Sequence, residues 1–597
     1  MKNIHIITFA ITLLFLGACN DEFLDRTPET SIGKENFFNS EADLNLYING
    51  LYAFPGWPMF ISDLATDNAS TTGNTEVKTM MTPDPSSATI TGGWNWSYLR
   101  SINFFLENFD KADISQEKLD HFEGLARFFR AQFYMGMVKR YSDVPYYDFV
   151  IETNDEAALF KARDPRAFVV DRIFEDYSFA ADHVIADQPS GAVNKWVVKA
   201  YMARAALYEG TFRKYHDELN LQGSASQFLE MARDQAQDIV DSGNFSIYST
   251  GDPESDYSAL FTNVDLTSNP EIIYANINIT NLKNSGSSAT IWGDYEVSAS
   301  RDLLQAYLMK DGSYYSQQEG YETKQFVEEF VNRDPRLSQT YAAPGFILKR
   351  VDTYTTGTGL YVQRLAKNFS GYHQRKGMVN VDDPNMVNDV DIPVLRYTET
   401  LLTLAEAKAE LGTISQSDLD NTINVIRERA GVPGLTMDVT ADPVQQARYP
   451  DISDPVLLEI RRERRIELAL EGFRFDDLMR WKAGKLLEAE PEGLYFPSLG
   501  KYDLTGDGID DIILIDASET VPGAGEKEQN ELGQDLVYYR ASEQGGDANV
   551  YLKNGNSGTV QTVADRGTFL EPKYYYRPIP QTDVIVNPNL TQIFGWD

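Results

Sequence analysis

Glu459, Glu463, Glu467 and Glu471 recur every four residues in a stretch that ends at Trp481. On a helix they form one ridge of carboxylates, and like charges at that spacing destabilise an isolated helix. Arg462, three residues after Glu459, and Arg464, three before Glu467, can reach the ridge from the same helix. Two guanidinium groups do not balance four carboxylates. Further cations, Arg474 or arginines from other helices, must complete the set. The stretch therefore needs a scaffold that wraps it. It reads as a structural ion network in the core of a helical body, with a ligand site on the same ridge as the alternative.

Helical periodicity supplies such a body. His121 to Tyr141 places Phe122, Leu125, Phe129, Phe133 and Met137 on one face, with Arg166 to Ala186 as its partner. Lys195 to Tyr215, with small residues at Ala200, Ala203, Ala205 and Ala206, precedes Gln227 to Val240. Val394 to Leu411 precedes Asp418 to Ala430, and Pro455 to Leu470 precedes Arg474 to Leu487. The pattern predicts a mainly α fold of about four antiparallel pairs, stacked as in tetratricopeptide repeats into a superhelical scaffold. Between them run stretches rich in Gly, Ser, Thr, Asn and Asp: Thr66 to Gly93, Asn276 to Ser300 and Glu488 to Thr568. Unstructured stretches of that length in a folded body suggest a binding surface built from insertions. The expected organisation is a leader over 1–18, an N-terminal region over 19–250 and a C-terminal region over 251–597.

Charge excludes several functions. With 53 basic and 89 acidic residues the net charge is −36, which opposes a nucleic-acid partner and a polybasic membrane contact. One cysteine rules out a disulfide within the chain and a Cys-based zinc site. That cysteine is Cys19. Behind Lys2, Ile4 to Ala18 is apolar but shorter than the roughly 20 residues of a spanning helix. Leu16 to Cys19 resembles a bacterial lipobox, in which the cysteine is the lipidated first residue after cleavage; an ordinary leader with a chance cysteine is the alternative. The acidic start Asn20-Asp21-Glu22 resembles a surface-export signal of Bacteroidetes-type lipoproteins. Several acyl chains on one cysteine would anchor a soluble body firmly.

The Glu459–Trp481 stretch closely resembles the C-terminal signature of the SusD/RagB family of outer-membrane nutrient-binding lipoproteins. Asn20 to Asp25 with Pro28, Leu99 to Asn108, Ala126 to Ala131 through Pro145, Asn332 to Leu337, Ile426 to Gly431 and Asn587 to Gln592 agree with it in order. The Ile593 to Trp596 ending departs slightly. The resemblance spans nearly the whole mature chain. It implies tetratricopeptide-like pairs carrying a loop-rich ligand-binding half. It also implies a surface lipoprotein that captures a nutrient, most often a glycan, as the lid of a SusC-type TonB-dependent transporter, without catalysis. RagB-like members take peptides, which keeps peptide capture as a variant. A helical-repeat scaffold without small ligand and a glycoside hydrolase are remoter alternatives; no Gly-x-Ser-x-Gly elbow and no recognisable His-nucleophile pair is present.

A glycan binder needs exposed aromatic faces beside a few polar groups. Trp94, Asn95 and Trp96 supply them between a flexible loop and a helix, with Asp67 and Asn68 nearby in sequence; Trp292 and Tyr295 form a second aromatic loop. Trp57 reads as a packed loop anchor, and Trp196 and Trp481 as core. Asp503, Thr505, Asp507 and Asp511 stand at positions one, three, five and nine of a calcium-type loop, with Gly508 at six. Position twelve is Leu514, so this is no EF-hand. A structural Ca²⁺ that shapes the long insertion is the expectation, and an acidic Gly turn without metal the alternative.

Overall fold

The computed structural model describes residues 37–596, apart from 280–281, 284, 287–290, 292–296, 350–358, 382–388 and 563–565. Cys19, Trp292 and Tyr295 lie outside the described residues.

The helical body follows the periodicity. Helix α1 (Gln116–Tyr141) packs on α2 (Arg166–His183), and α3 (Lys195–Tyr215) on α4 (Ala225–Asp241). Asn194 fixes the start of α3 by accepting from the backbone amides of Trp196 and Val197. Close approach depends on missing side chains. A Cβ on Gly124 of α1 would meet Val184 at 2.9 Å, and one on Gly210 of α3 would meet Leu229 of α4 at 2.9 Å.

The two later pairs are less regular than the sequence suggests. Residues 394–396 belong to a strand, so α5 runs from Tyr397 to Glu410. Its expected partner breaks at Thr422 into α6 (Gln416–Asn421) and α7 (Ile423–Arg429). Helix α8 (Pro455–Glu467), started by Pro455 and the Asp454 cap, stops before Leu470, whose φ is +62°. Glu471 therefore lies in the turn after the helix. Helix α9 (Arg474–Arg480) packs on α3, while α5 joins α4 to α8.

Two strand pairs tie distant segments together. β1 (Ala69–Ser70) pairs antiparallel with β3 (Ser298–Ala299), and β2 (Ile272–Asn276) with β4 (Ile392–Arg396). Thr66 to Gly93 also holds a short helix, Glu76–Met80. The stretch from Glu488 to Thr568 is not the structureless loop its composition suggests. It forms β5 (Glu492–Phe496), β6 (Gly500–Tyr502), β7 (Ile512–Asp516), β8 (Val537–Ser542), β9 (Val550–Tyr551) and β10 (Gly558–Gln561). β5 and β10 pair antiparallel. β6, β7, β8 and β9 make one sheet in that order, parallel from β7 to β9. Ile512, Leu514, Tyr539 and Leu552 bury their side chains in one cluster with Leu303, Tyr307, Ile466 and Leu470, which seats the sheet against the end of α8. The main core draws residues from Phe38 to Trp596 and crosses the expected boundary at 250/251.

Candidate functional site

The carboxylate ridge is a buried ion network. Glu459 accepts from Arg462 Nε at 3.0 Å and Arg427 Nη2 at 3.4 Å; Glu463 accepts from Arg336 Nη1 at 2.6 Å and Arg427 Nε at 2.8 Å. Glu467 takes Arg429 at 2.5 Å, Arg336 at 2.9 Å and Arg396 at 3.0 Å. Glu471 binds Lys376 and Arg396, each at 2.6 Å. Burial pushes the Glu467 carboxyl up, and its three arginines outweigh that, holding it well below the usual carboxylate range. Burial lowers Lys376 to about 8 against the pull of Glu471. Of the expected cations, Arg462 serves the ridge, whereas Arg464 turns to Asp477 at 2.8 Å and Arg474 to Asp67 at 2.7 Å. Every charge is matched inside the protein, so the ridge is structural.

Asp67 and Asn68 belong to a second buried ion cluster, held by Arg474, Arg465 and Arg448 rather than by the cations of the ridge; Asn68, expected at a ligand, is sealed inside it, while Asp67 also reaches the wall of a cleft. Asp67 is buried, with Arg474, Arg465 and Arg448 around it. Burial pushes its carboxyl up, and the three guanidinium groups hold it far below the ordinary range. Asn68 is fully buried, donates to Asp63 Oδ2 at 2.9 Å and accepts from Arg465 Nε at 2.8 Å. Both of its polar atoms are spent.

Trp94 and Trp96 stay at the surface, each half-buried. Their rings meet edge to face at 5.2 Å. Trp94 leans on Tyr141 at 4.9 Å; Trp96 packs on Phe133 at 5.6 Å and Tyr147 at 5.7 Å. Asn95 is exposed, and its Oδ1 accepts from the Ser97 amide and hydroxyl at 2.9 and 2.7 Å, at the start of the Ser97–Leu106 helix. Trp96 lines a groove of about 230 Å³ with Tyr147, Phe149, Arg100 and Asn103. The floor holds an unspent acceptor. Asn103 is 1% exposed, and its Nδ2 donates to the carbonyls of Tyr147 at 3.1 Å and Phe149 at 2.9 Å. Among the described residues its Oδ1 has no partner, a costly condition that a ligand donor would relieve.

The remaining aromatic residues divide between core and surface. Ile291, beside Trp292, is buried with Met59 and Phe60 in a cluster apart from the one under Trp94 and Trp96, and Trp57 packs against that second cluster. Trp481 is core and donates from Nε1 to Glu406 at 2.7 Å; Trp196 is half-buried at the start of α3. The sequence reading missed Asn103, Tyr147 and Phe149. The run Tyr146-Tyr147-Asp148-Phe149 just after α1 was the available signal.

The Asp503–Asp511 turn has its own organiser. Asp503 accepts from the amides of Thr505, Gly506 and Gly508, Asp511 from those of Leu504 and Thr505, and Asp507 from that of Ile509. Among the described residues no group of three or more carboxylate, imidazole or thiol side chains is arranged to hold a metal ion. The calcium expectation therefore rests on the spacing of Asp503, Thr505, Asp507 and Asp511 in the sequence. Burial also lifts Asp511 to about 6.

Among the described residues no helix is long and apolar enough to cross a membrane. Residues 22–207 match a family described as starch-binding and associating with the outer membrane. SusD-like protein P2 of Formosa agariphila is 25% identical over 511 residues, covering 80% of this chain and 90% of that protein. SusD-like protein P25 of the same organism is 23% identical over 523 residues, covering 81% and 90%. A SusD-like carbohydrate-binding protein of Bacteroides fragilis superposes with a TM-score of 0.64 at 23% identity, over 93% of this chain and all of that one. A further SusD-like protein of the same species gives 0.63 at 20% identity, over 96% and 100%. Such scores at such identities establish the helical fold. Residues 263–596, which include the carboxylate ridge, match the SusD family model; the chain belongs to the SusD family.

Proposed function

We propose that the protein captures a neutral glycan at the Trp96 groove, leaves it chemically unchanged, and passes it to a SusC-type TonB-dependent transporter. Cys19 carries the lipid that holds it on the outer membrane, facing outward. The observation that carries this reading is the pairing of a half-exposed indole with the unpartnered Asn103 Oδ1 on one groove floor. A sugar presents C–H faces to stack on the ring and hydroxyls to donate to the amide oxygen. The family supports it, because one matched description names starch and one structural neighbour is a carbohydrate binder. The net charge of −36 favours an uncharged ligand, because it repels polyanions within a Debye length of about 8 Å.

The test is affinity electrophoresis and calorimetry on a panel of neutral glycans, with Trp94→Ala, Trp96→Ala and Trp292→Ala beside the wild type. Loss of the Trp96 ring should cost on the order of 1 kcal/mol or more, a factor of several in affinity. Product formation would overturn the non-catalytic reading. Binding of peptides but of no glycan would favour RagB-like peptide capture. Wild-type affinity in Trp96→Ala would remove the groove from consideration.

A further inference from the structure

A second cleft, of about 470 Å³, separates the helical body from the β5–β10 pair. Its size falls in the range of small-molecule sites. One wall is the Arg301–Ala306 helix, with Arg301 and Asp302; the other is Tyr495 on β5, paired with Thr559 on β10. Tyr321, Glu322 and Arg448 close the ends.

The depth of the cleft is short of acceptors. Arg301 is 3% exposed. Its Nη2 donates to the Lys324 carbonyl at 2.7 Å and lies 3.0 Å from Glu329, while Nε and Nη1 have no acceptor among the described residues. The guanidinium carbon sits 5.7 Å from the centre of the half-buried Tyr495 ring. Arg448 spends its terminal nitrogens on Asp302 and Asp67, and its Nε has no partner among the described residues. The mouth has the opposite character: Glu322 and Glu490 are exposed, and Glu492 pairs with Lys553 at 2.8 Å.

We propose that this cleft is a second saccharide subsite, taking an uncharged sugar unit with its ring against Tyr495 and its oxygens toward Arg301. Three ligand classes compete, and the lining separates them. An anion would satisfy the inner donors but would meet five carboxylates, Asp67, Asp302, Glu322, Glu490 and Glu492, against three cations. A cation would suit the mouth and leave the inner N–H groups without acceptors. A polyol does both: its oxygens accept inside, its hydroxyls donate to the acidic mouth, and its C–H face covers the tyrosine ring. Two subsites on one chain would raise the apparent affinity for a long glycan over a short one.

The inference rests on the carbohydrate reading above and adds a site that the Trp96 groove does not use. The experiment is saturation-transfer NMR and calorimetry on the mature chain with maltohexaose, xylohexaose and mannohexaose, and with a galacturonate trimer and a glucosamine trimer as charged probes. Trp96→Ala should keep a saturation-transfer signal from a neutral hexaose, and Trp96→Ala with Tyr495→Ala should lose it. Glu322→Ala, an exposed change that leaves the fold alone, should weaken the residual binding by roughly 3-fold or more. If Trp96→Ala alone abolishes all binding, the cleft is refuted and the groove stands. If Tyr495→Ala alone abolishes it with the fold intact, the groove falls and the cleft stands. Failure of the wild type to bind any saccharide would refute both. Tighter binding of either charged trimer than of the hexaoses by Trp96→Ala would overturn the uncharged ligand.

Discussion

Replacing Glu467 with Ala tests whether the buried network holds the scaffold or serves a ligand. The change removes a fully buried carboxylate from Arg336, Arg396 and Arg429. Removing one partner of a buried pair costs about 3–5 kcal/mol, because the other charge is left uncompensated. The low end applies here. Arg336 keeps Asp334 and Glu463, Arg396 keeps Glu271 and Glu471, and Arg429 keeps Glu271. At about 2 cal/mol/K per residue, a chain of 597 residues unfolding in one step has an entropy near 1.2 kcal/mol/K. A loss of about 3 kcal/mol then lowers Tm by roughly 2–3 °C. Scanning calorimetry of Glu467→Ala beside Lys118→Ala, which breaks an exposed pair with Glu41 at 2.5 Å, provides the contrast. The surface change should move Tm by less than about 1 °C. Glycan affinity of folded Glu467→Ala should match the wild type. An unchanged Tm, or a lost affinity at unchanged Tm, would refute the structural role.

Acid should unfold the protein through the same groups. Burial pushes Glu406 up, yet Arg480, Arg464 and Arg461 bring it down to about 2, and arginines likewise hold Glu463 and Glu467 low. The unfolded chain therefore binds protons first, and stability from these groups, complete above about pH 5, is lost as pH falls toward the folded values. A Tm flat between pH 5 and 2.5 would contradict this. Cys19→Ala should leave the protein uncleaved or release it from the membrane fraction, and an acylated, membrane-bound variant would overturn the lipobox reading. If the Asp503–Asp511 turn holds calcium as its spacing suggests, calorimetry at millimolar Ca²⁺ should show saturable uptake, and EDTA should raise proteolysis within 488–568. No calcium uptake at millimolar concentration would remove the metal.

The sequence exposes what is local and hides what is tertiary. Lys195 to Tyr215 matches its helix to the residue, because an Asn cap and an apolar period both act within the segment. The ridge is visible because repeated carboxylates are a local pattern, but its partners Arg336 and Arg396 come from 71 to 131 residues away. Asp67 shows why short acidic loops mislead: its sequence looks solvated, and only the fold brings Arg474 to it. The β5–β10 region was obscured by Gly- and Asp-rich turns. The apolar run Ile512 to Ile515 was its clearest strand signal. Trp96 was legible as an aromatic beside a helix start, whereas Asn103, about two turns further on, becomes meaningful only when Tyr147 and Phe149 close over it.

The pairing of Asp67 with Arg474 also sets a timetable. The two residues are 407 positions apart, and Arg566 reaches back 500 positions to the Thr66 carbonyl. Contacts of such long range make folding slow, because the loop must close before the contact rewards it. A growing chain has no cation for Asp67 until Arg448 is made, about three-quarters of the way along, and cannot satisfy the Thr66 carbonyl with Arg566 until almost its end. The N-terminal half must therefore remain unlocked through most of synthesis, and a chain interrupted before residue 448 lacks every cation that Asp67 pairs with.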